Sequence, residues 1–393
     1  MPRIGSDEVQ SRRIKVCSYC LYRTALSLTI EQENSLVSTR KLAESCTPVE
    51  DDEDDVRLAL SDNKAMSIQM TQQKEIKPEK VTVAIFCALG EEAVAVELSL
   101  DEELECLTSS EKYLYTFGRI GEHHVVIAQP NDMGTVNAGN LAVYVSHAFK
   151  NVRFALLVGV GGGIPSEEKD IRLGDVAVSR AEAGHPGVIQ YDFVKYESDS
   201  KPLKGVLNKP HPILLSADNL VQRDEIRDRS QLTTNLNSII RNIHKYKHPG
   251  TADVLYDPTF RHVVKGKDCT ACEKSSAKKT VKRNGKREVP KVHRGLILSG
   301  NGVVKDPDER HHLCRGYDKA LCFEMEAAGI MDEIPCLVIR GICDYCDTHK
   351  QDGWHYYAAA VAAAYAKTIL LKIHGKEVEK LEQMSETLKN RES

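Results

Sequence analysis

The chain has 393 residues, 41% of them apolar, and its 53 basic and 57 acidic side chains leave a formal net charge of −4. That is enough apolar material for a sizeable core, and too balanced a charge for binding nucleic acid or an anionic membrane through the overall field. No segment offers the roughly 18 consecutive apolar residues that a bilayer span needs, and the start, MPRIGSDEVQSRRIKVCSYC, lacks the apolar centre of a secretion signal, so a soluble, cytoplasmic protein is expected.

Residues 1–79 show little apolar periodicity and include the acidic run EDDEDD at Glu50–Asp55. Such a segment cannot bury enough surface to offset chain entropy, so it reads as a disordered or weakly structured tail with a short helix near Val16–Leu28. Order is expected from Val81, where the β-branched run VTVAIFCAL predicts a strand and EEAVAVELSL, with helical spacing, a helix. YLYTFGRIG and EHHVVIAQP read as a hairpin or adjacent strands, MGTVNAGNLAVYVSHAF as a helix, and RFALLVGVGGGIP as a buried strand ending in glycines.

DVAVS and GVIQYDF continue the strands, and a helical region runs on through Ile243. The segment Lys265–Arg287 carries nine basic and two acidic residues without an interleaved aromatic, and reads as a solvated loop inserted at about 264–288. HRGLILSGNGVV, LCFEMEAAG and PCLVIRGICDY supply three more strands, and the alanine-rich WHYYAAAVAAAYAKTILLKI a buried helix. A catalytic domain over 80–373 is followed by a charged helical or frayed tail at 374–393. Strands without polar alternation, interleaved with helices, predict an α/β fold with a mostly parallel sheet covered on both faces.

In open α/β sheets, ligands bind beyond the carboxyl ends of the strands. Glu92, Glu326 and Asp344 each follow an apolar strand run there, with few basic neighbours in the sequence to neutralise them, and are therefore candidate functional acids. The glycines of VGVGGGIP fail the dinucleotide fingerprint and are assigned to close approach of backbone and ligand, which places Gly161 and Gly162 against the substrate. Of the three C-x-x-C pairs, Cys269/Cys272 with nearby His262 is the best metal candidate; the plainer reading is unliganded thiols, and neither metal nor cofactor is expected.

In order along the chain, VTVAIFCALGEE, GRIGEHHVVIA, VGVGGGIPSEEKDIRLGDVAVS, GLILSGNGVV, FEMEAAG and VIRGICDYCD resemble the nucleoside phosphorylase superfamily. The similarity is closest to its methylthioadenosine/S-adenosylhomocysteine nucleosidase branch and to the related domain of NACHT- or ankyrin-bearing receptor proteins. It implies a three-layer αβα fold with a twisted central sheet, and a homo-oligomer whose neighbour helps close the site. The implied partner is a small nucleoside or nucleotide, not nucleic acid.

By the same resemblance, Glu92 activates the attacking water, Asp344 donates a proton to the leaving purine, and Glu326 accepts both ribose hydroxyls over Met325. Glu324 is left as structural support. Where the family stacks an aromatic on the base, this chain has Val303, so the base walls are Val303 and Phe323, or Phe193; Cys343 stands where serine is common, with no activating base evident near it. Leu157 and Val160 replace the phosphorylases' anion-holding residues, which favours hydrolysis of an adenine nucleoside or nucleotide (adenosine, methylthioadenosine or ATP). Phosphorolysis and a catalytically silent nucleoside-sensing module are the alternatives.

Overall fold

The computed structural model describes residues 74–383 except 107–111, 182–183, 196–204, 206, 242, 267, 286 and 350–351. The tail expected to be disordered, with its short helix, lies outside the described residues up to 73, as do residues 384–393.

A two-residue strand, β1 (Lys74–Glu75), comes first, so regular structure begins ahead of Val81. The apolar run that follows is β2 (Val83–Phe86), buried at all four positions, and it leads into helix α1 (Gly90–Glu97). Next are β3 (Glu102–Glu105) and the expected hairpin, β4 (Tyr115–Ile120) antiparallel to β5 (His123–Ala128). Helix α2 (Thr135–Ala148), the long β6 (Phe154–Gly163), β7 (Val176–Ser179) and β8 (Val188–Gln190) follow.

The helical region expected through Ile243 is divided into α3 (Pro212–Ile226) and α4 (Leu232–Ile240), with Asp228 between them in the left-handed region at φ 53°. The inserted segment contains the short helix α5 (Thr270–Lys274). Then come β9 (Val292–Ser299), α6 (Pro307–Leu313), β10 (Ala320–Glu324), α7 (Ala327–Glu333), β11 (Cys336–Asp344), α8 (His355–Leu370) and α9 (Gly375–Val378).

The strands run in the order β1-β3-β4-β5-β2-β6-β10-β9-β7-β11, with β8 on β9 and β11 returning to pair with β6. That return closes β6, β10, β9, β7 and β11 on themselves, while β2 and its neighbours extend as an open sheet. Seven of the eleven pairings described are parallel, in line with the expected mostly parallel sheet.

Strand alternation sorts the core into two layers. Val83, Ile85, Leu156 and Val158 face α8, α3 and α4, whereas Ala84, Phe86, Ala155 and Leu157 face α2 and α7. Ala358–Ala364 are all buried, and their small side chains let α8 lie close on the sheet. At Gly341 of β11 a Cβ would collide with the carbonyl of Ala358, so the helix crosses where the strand has no side chain.

Most described residues of the basic insert are exposed, as expected of a solvated loop, but two of its arginines dock on the domain. Arg283 pairs with Asp253 at 3.0 Å and stacks on the Tyr345 ring at 4.9 Å, and Arg287 pairs with Asp170 at 3.1 Å and with Asp175. Arg172 donates to the Asn284 and Gly285 carbonyls at 2.9 and 2.8 Å. Two of its nine basic side chains, Arg283 and Arg287, are met by aspartates from outside it, which a local charge count leaves out.

Candidate active site

β6, β10 and β11 reach one edge together: Gly162 pairs with Phe323 on one side and with Asp344 on the other. The acids collect around that point. Glu92 sits in the first turn of α1, buried, and its side chain turns back on the backbone. Its Oε2 accepts from the Ala88 and Leu89 amides at 2.7 and 2.9 Å, and its Oε1 from the Val160 amide at 2.7 Å. Burial raises its pKa, opposed by Arg340 and by these three amides.

Glu326 lies between β10 and α7 and is 5% exposed. Its Oε1 accepts from the Gly134 amide at 3.3 Å, just ahead of α2. Gly134 has φ 107°, a conformation open to glycine and strained for other residues, and it aims this amide at the carboxylate. Burial pushes the Glu326 pKa up to about 7; Arg340 works against that rise, and Glu324 and Glu92 add to it. Met325, between the two glutamates, is partly buried.

Glu324 is the acid that closes the helix end. It accepts from the Glu326 amide at 3.1 Å and the Ala327 amide at 2.9 Å, two donors that α7 cannot satisfy internally. The opening turn is completed by the Ser299 hydroxyl, which accepts from the Ala328 amide at 2.9 Å. Structural support, the role expected of Glu324, is what these bonds supply.

Arg340, from the middle of β11, is 1% exposed and joins the three glutamates. One guanidinium nitrogen meets Glu324 and, at 3.0 Å, Glu326; the other lies 3.8 Å from Glu92. The expectation of few basic neighbours is therefore overturned, because a cation 14 residues beyond Glu326 in sequence is delivered by β11, which lies across β6 from β10. Gly159 makes room for it, since a Cβ there would occupy the positions of the Arg340 guanidinium and the Glu92 carboxylate.

Asp344 ends β11, 4% exposed. Its Oδ1 accepts from the Cys346 amide at 2.8 Å and its Oδ2 from the Cys343 thiol at 3.2 Å. His355, at the start of α8, brings a ring nitrogen within 4.8 Å of both the Cys343 sulfur and an Asp344 oxygen. An imidazole does therefore stand beside Cys343, contrary to expectation, and it comes from the next helix. Glu92 meets β6 at Gly159–Val160 and Asp344 meets it at Gly162, separated along the strand by roughly 10 Å at three residues.

The glycines leave room for the protein's own atoms at the site. A Cβ on Gly161 would stand 3.0 Å from the Phe323 carbonyl oxygen and 3.2 Å from Arg340 Cβ, and one on Gly162 would stand 2.8 Å from Asp344 Oδ1 and collide with the Cys346 sulfur. They admit the protein's own site side chains. Phe323 is 5% exposed within a small apolar cluster, edge-on to Tyr191 at 5.4 Å, so it backs the site from inside. Val303 and Phe193 are exposed on the loops after β9 and β8.

Those loops are tied by residues that sequence reasoning passed over. The Asp192 carboxylate accepts from the Asn301 amide at 2.8 Å, and Asn301 Oδ1 accepts from the Thr135 amide and hydroxyl, both at 3.0 Å. Tyr191, whose pKa burial pushes up to about 12, donates its hydroxyl to the Gly302 carbonyl at 3.3 Å. Leu157 is buried in the core, and Val160 packs partly buried on the opposite layer, so neither presents a polar side chain. A cavity of about 350 Å³ opens beside Asp344, lined also by Cys343, Tyr345, Asp347, His349 and Trp354.

The chain belongs to the phosphorylase superfamily, whose family model matches residues 82–372. A nucleotide-binding leucine-rich repeat (NLR)-like protein of Hyaloscypha variabilis is 37% identical over 309 residues, covering 76% of this chain and 30% of that protein. The ATP nucleosidase Cap17 of Escherichia coli (strain KTE188) is 36% identical over 77 residues, 18% of this chain and 15% of that protein. This chain thus spans under a third of the length of either relative. Among solved structures, 5'-methylthioadenosine/S-adenosylhomocysteine nucleosidase of Neisseria meningitidis, with methylthio-immucillin-A bound, shares the fold: TM-score 0.50, 17% identity, 74% of this chain and 99% of that one covered. Among the described residues no helix is long and apolar enough to cross a membrane.

Proposed function

We propose that this domain hydrolyses the N-glycosidic bond of an adenine nucleoside or nucleotide. The observation that carries the reading is the gathering of three acids from separate segments: Glu92 and Asp344 at the end of β6, and Glu326 joined to Glu92 through Arg340. The name of the Escherichia coli relative supports a nucleotide among the substrates.

On this reading Glu326, when ionised, accepts hydrogen bonds from the ribose 2′ and 3′ hydroxyls above Met325. Glu92 takes a proton from water as the water oxygen bonds to C1′. The C1′–N9 pair departs with the purine, and Asp344 supplies the proton that neutralises it. Each acid or base contribution of this kind is worth roughly a hundredfold or more. Negative charge near the sugar stabilises its oxocarbenium-like transition state.

Water is favoured over phosphate as nucleophile because Leu157 and Val160 are apolar and Arg340 is already engaged by three carboxylates. A homo-oligomer in the cytoplasm completes the proposal, and light scattering of the purified chain checks the assembly. The activity test is chromatographic detection of adenine from adenosine, methylthioadenosine and ATP, with and without phosphate, against Asp344→Asn. Adenine from the wild type without phosphate is expected. Release only with phosphate would replace hydrolysis by phosphorolysis, and binding without release would favour a sensing module.

A further inference from the structure

The inserted segment carries donor groups that the proposed reaction leaves unused. Cys269 is the N-cap residue of α5, and Cys272 lies within that helix. The two sulfurs and one ring nitrogen of His262 all lie within 4.8 Å of one another. Cys272 is fully buried and Cys269 7% exposed. Nε2 of His262 and Nε2 of His349 are both buried without a hydrogen-bond partner.

His349 follows Asp344 by five residues and is itself 8% exposed. Tyr256 stacks on its ring at 3.9 Å and Phe260 at 5.3 Å, and the His262 ring lies 5.3 Å away. The Cys269 thiol faces the His349 carbonyl at 3.9 Å, bringing the C-x-x-C segment against the chain that leaves β11.

We propose that Cys269, Cys272 and His262 hold a structural zinc ion, with His349 as fourth ligand. Two sulfurs and two imidazoles are a donor set suited to tetrahedral zinc, and C-x-x-C is the spacing by which one turn presents two thiolates to one ion. Around such an ion, neighbouring ligand atoms stand roughly 3.5–3.8 Å apart and two imidazole centres about 5 Å apart. The sulfurs and His262, all within 4.8 Å of one another, need to close by at most about an ångström to reach that spacing. The two imidazole ring centres already stand 5.3 Å apart, while the His349 nitrogens lie outside the 4.8 Å cluster, so that side chain must move in to ligate.

The surroundings suit a thiolate. The Val263 amide lies 3.3 Å from the Cys272 sulfur, a donor that stabilises a metal-bound thiolate from outside the ligand shell. His262 Nδ1 accepts a long bond of 3.3 Å from the Val264 amide, which leaves Nε2 as the nitrogen available to the metal. Ligation through Nε2 places the ring proton on Nδ1 and gives up that bond. The apolar cluster beneath, Tyr256, Phe260, Cys269 and Cys272 with Val254, is too small to hold an insert of this length by burial alone, the situation in which small modules rely on a metal. Zinc here would also fix one wall of the 350 Å³ cavity beside Asp344, since Cys269 and His349 both line it.

The full chain, grown with zinc and purified without chelator, is analysed by mass spectrometry for metals. About one zinc per chain is expected, falling below about a tenth in Cys269→Ser, Cys272→Ser and His262→Ala. Chelation should lower Tm and added zinc restore it. Cobalt reconstitution should give thiolate-to-cobalt charge-transfer bands and the visible bands of a tetrahedral ion. Wild-type metal content and the cobalt spectrum stand whether or not any variant folds. A wild type holding under about a tenth of a zinc with no charge-transfer band overturns the proposal. So does zinc retained by Cys272→Ser, which would point to the Cys343, Asp344 and His355 group instead, and so does a Cys269–Cys272 disulfide in metal-free protein. Full zinc and an unchanged cobalt spectrum in His349→Ala overturn its assignment as fourth ligand.

Discussion

Replacing Arg340 by methionine removes the one cation that Glu92, Glu324 and Glu326 share while keeping an unbranched stem in the core. At 3.0 and 3.8 Å the contacts to Glu326 and Glu92 are each worth about 4.5–5.5 kcal/mol of attraction at an effective dielectric near 20, before the cost of desolvating the guanidinium. Breaking a buried pair by removing one partner typically costs about 3–5 kcal/mol, and that is the loss expected near neutral pH. The cost must also depend on pH. In the wild type Glu326 loses its proton at about 7, whereas without Arg340 it and Glu92 hold protons to higher pH in the folded state than in the unfolded chain. A folded state that binds more protons loses stability as pH rises, at about 1.4 kcal/mol per pH unit for each extra proton. Between pH 7 and 8.5 the gap between wild type and variant should therefore widen by about 2 kcal/mol for one extra proton. Urea melts at both pH values measure it. A gap below about 1 kcal/mol, or one that does not change with pH, would refute the reasoning. Arg340→Lys, which keeps the charge but not the two-pronged geometry, should fall between the two.

Glu326 must be ionised to accept two hydroxyls, so kcat/KM should fall as pH drops below about 7, approaching tenfold per unit, and a pH–rate profile tests this. Glu326→Gln should lose the dependence along with most of the turnover. Glu324→Gln keeps an acceptor for the Ala327 amide but weakens the hold on Arg340, so it should lower stability by about 1–3 kcal/mol, read from urea melts. Gly159→Ala should cost about 1–3 kcal/mol and depress turnover, because its methyl displaces the Arg340 guanidinium and the Glu92 carboxylate; full activity with wild-type stability would contradict the placement.

Much of the fold is legible in the sequence because strands buried on both faces read as apolar runs with little polar alternation, from VTVAIF to CLVIRGIC with its single arginine. Glu92, Glu326 and Asp344 could be placed together because each follows such a run. Arg340 was harder to see, because its three partners lie in other segments and only the fold brings them to it. One signal was present: an arginine inside an apolar run is almost never buried unless paired, so it called for acids nearby. The docking of the basic insert had no comparable local sign, since Asp170, Asp175 and Asp253 belong to segments that are polar for their own reasons. His355 is hidden in the same way, opening an alanine-rich helix whose packing on β11 brings it beside Asp344.

The charge balance of the cluster bears on what it would bind. Three carboxylates and one guanidinium, if all ionised, leave an excess of two negative charges among buried groups; burial raises the pKa values of Glu92 and Glu326, and for Glu326 the neighbouring carboxylates add to the rise. A neutral ribose relieves it only through its hydroxyl protons. A ribose acquiring positive charge as its glycosidic bond breaks relieves it directly, so on the proposed reaction the cluster favours the transition state over the bound substrate. Arg340 then sets a limit on both sides. Without it Glu92 and Glu326 would hold their protons more strongly and lose negative potential, and a second cation would halve the excess that distinguishes the two states.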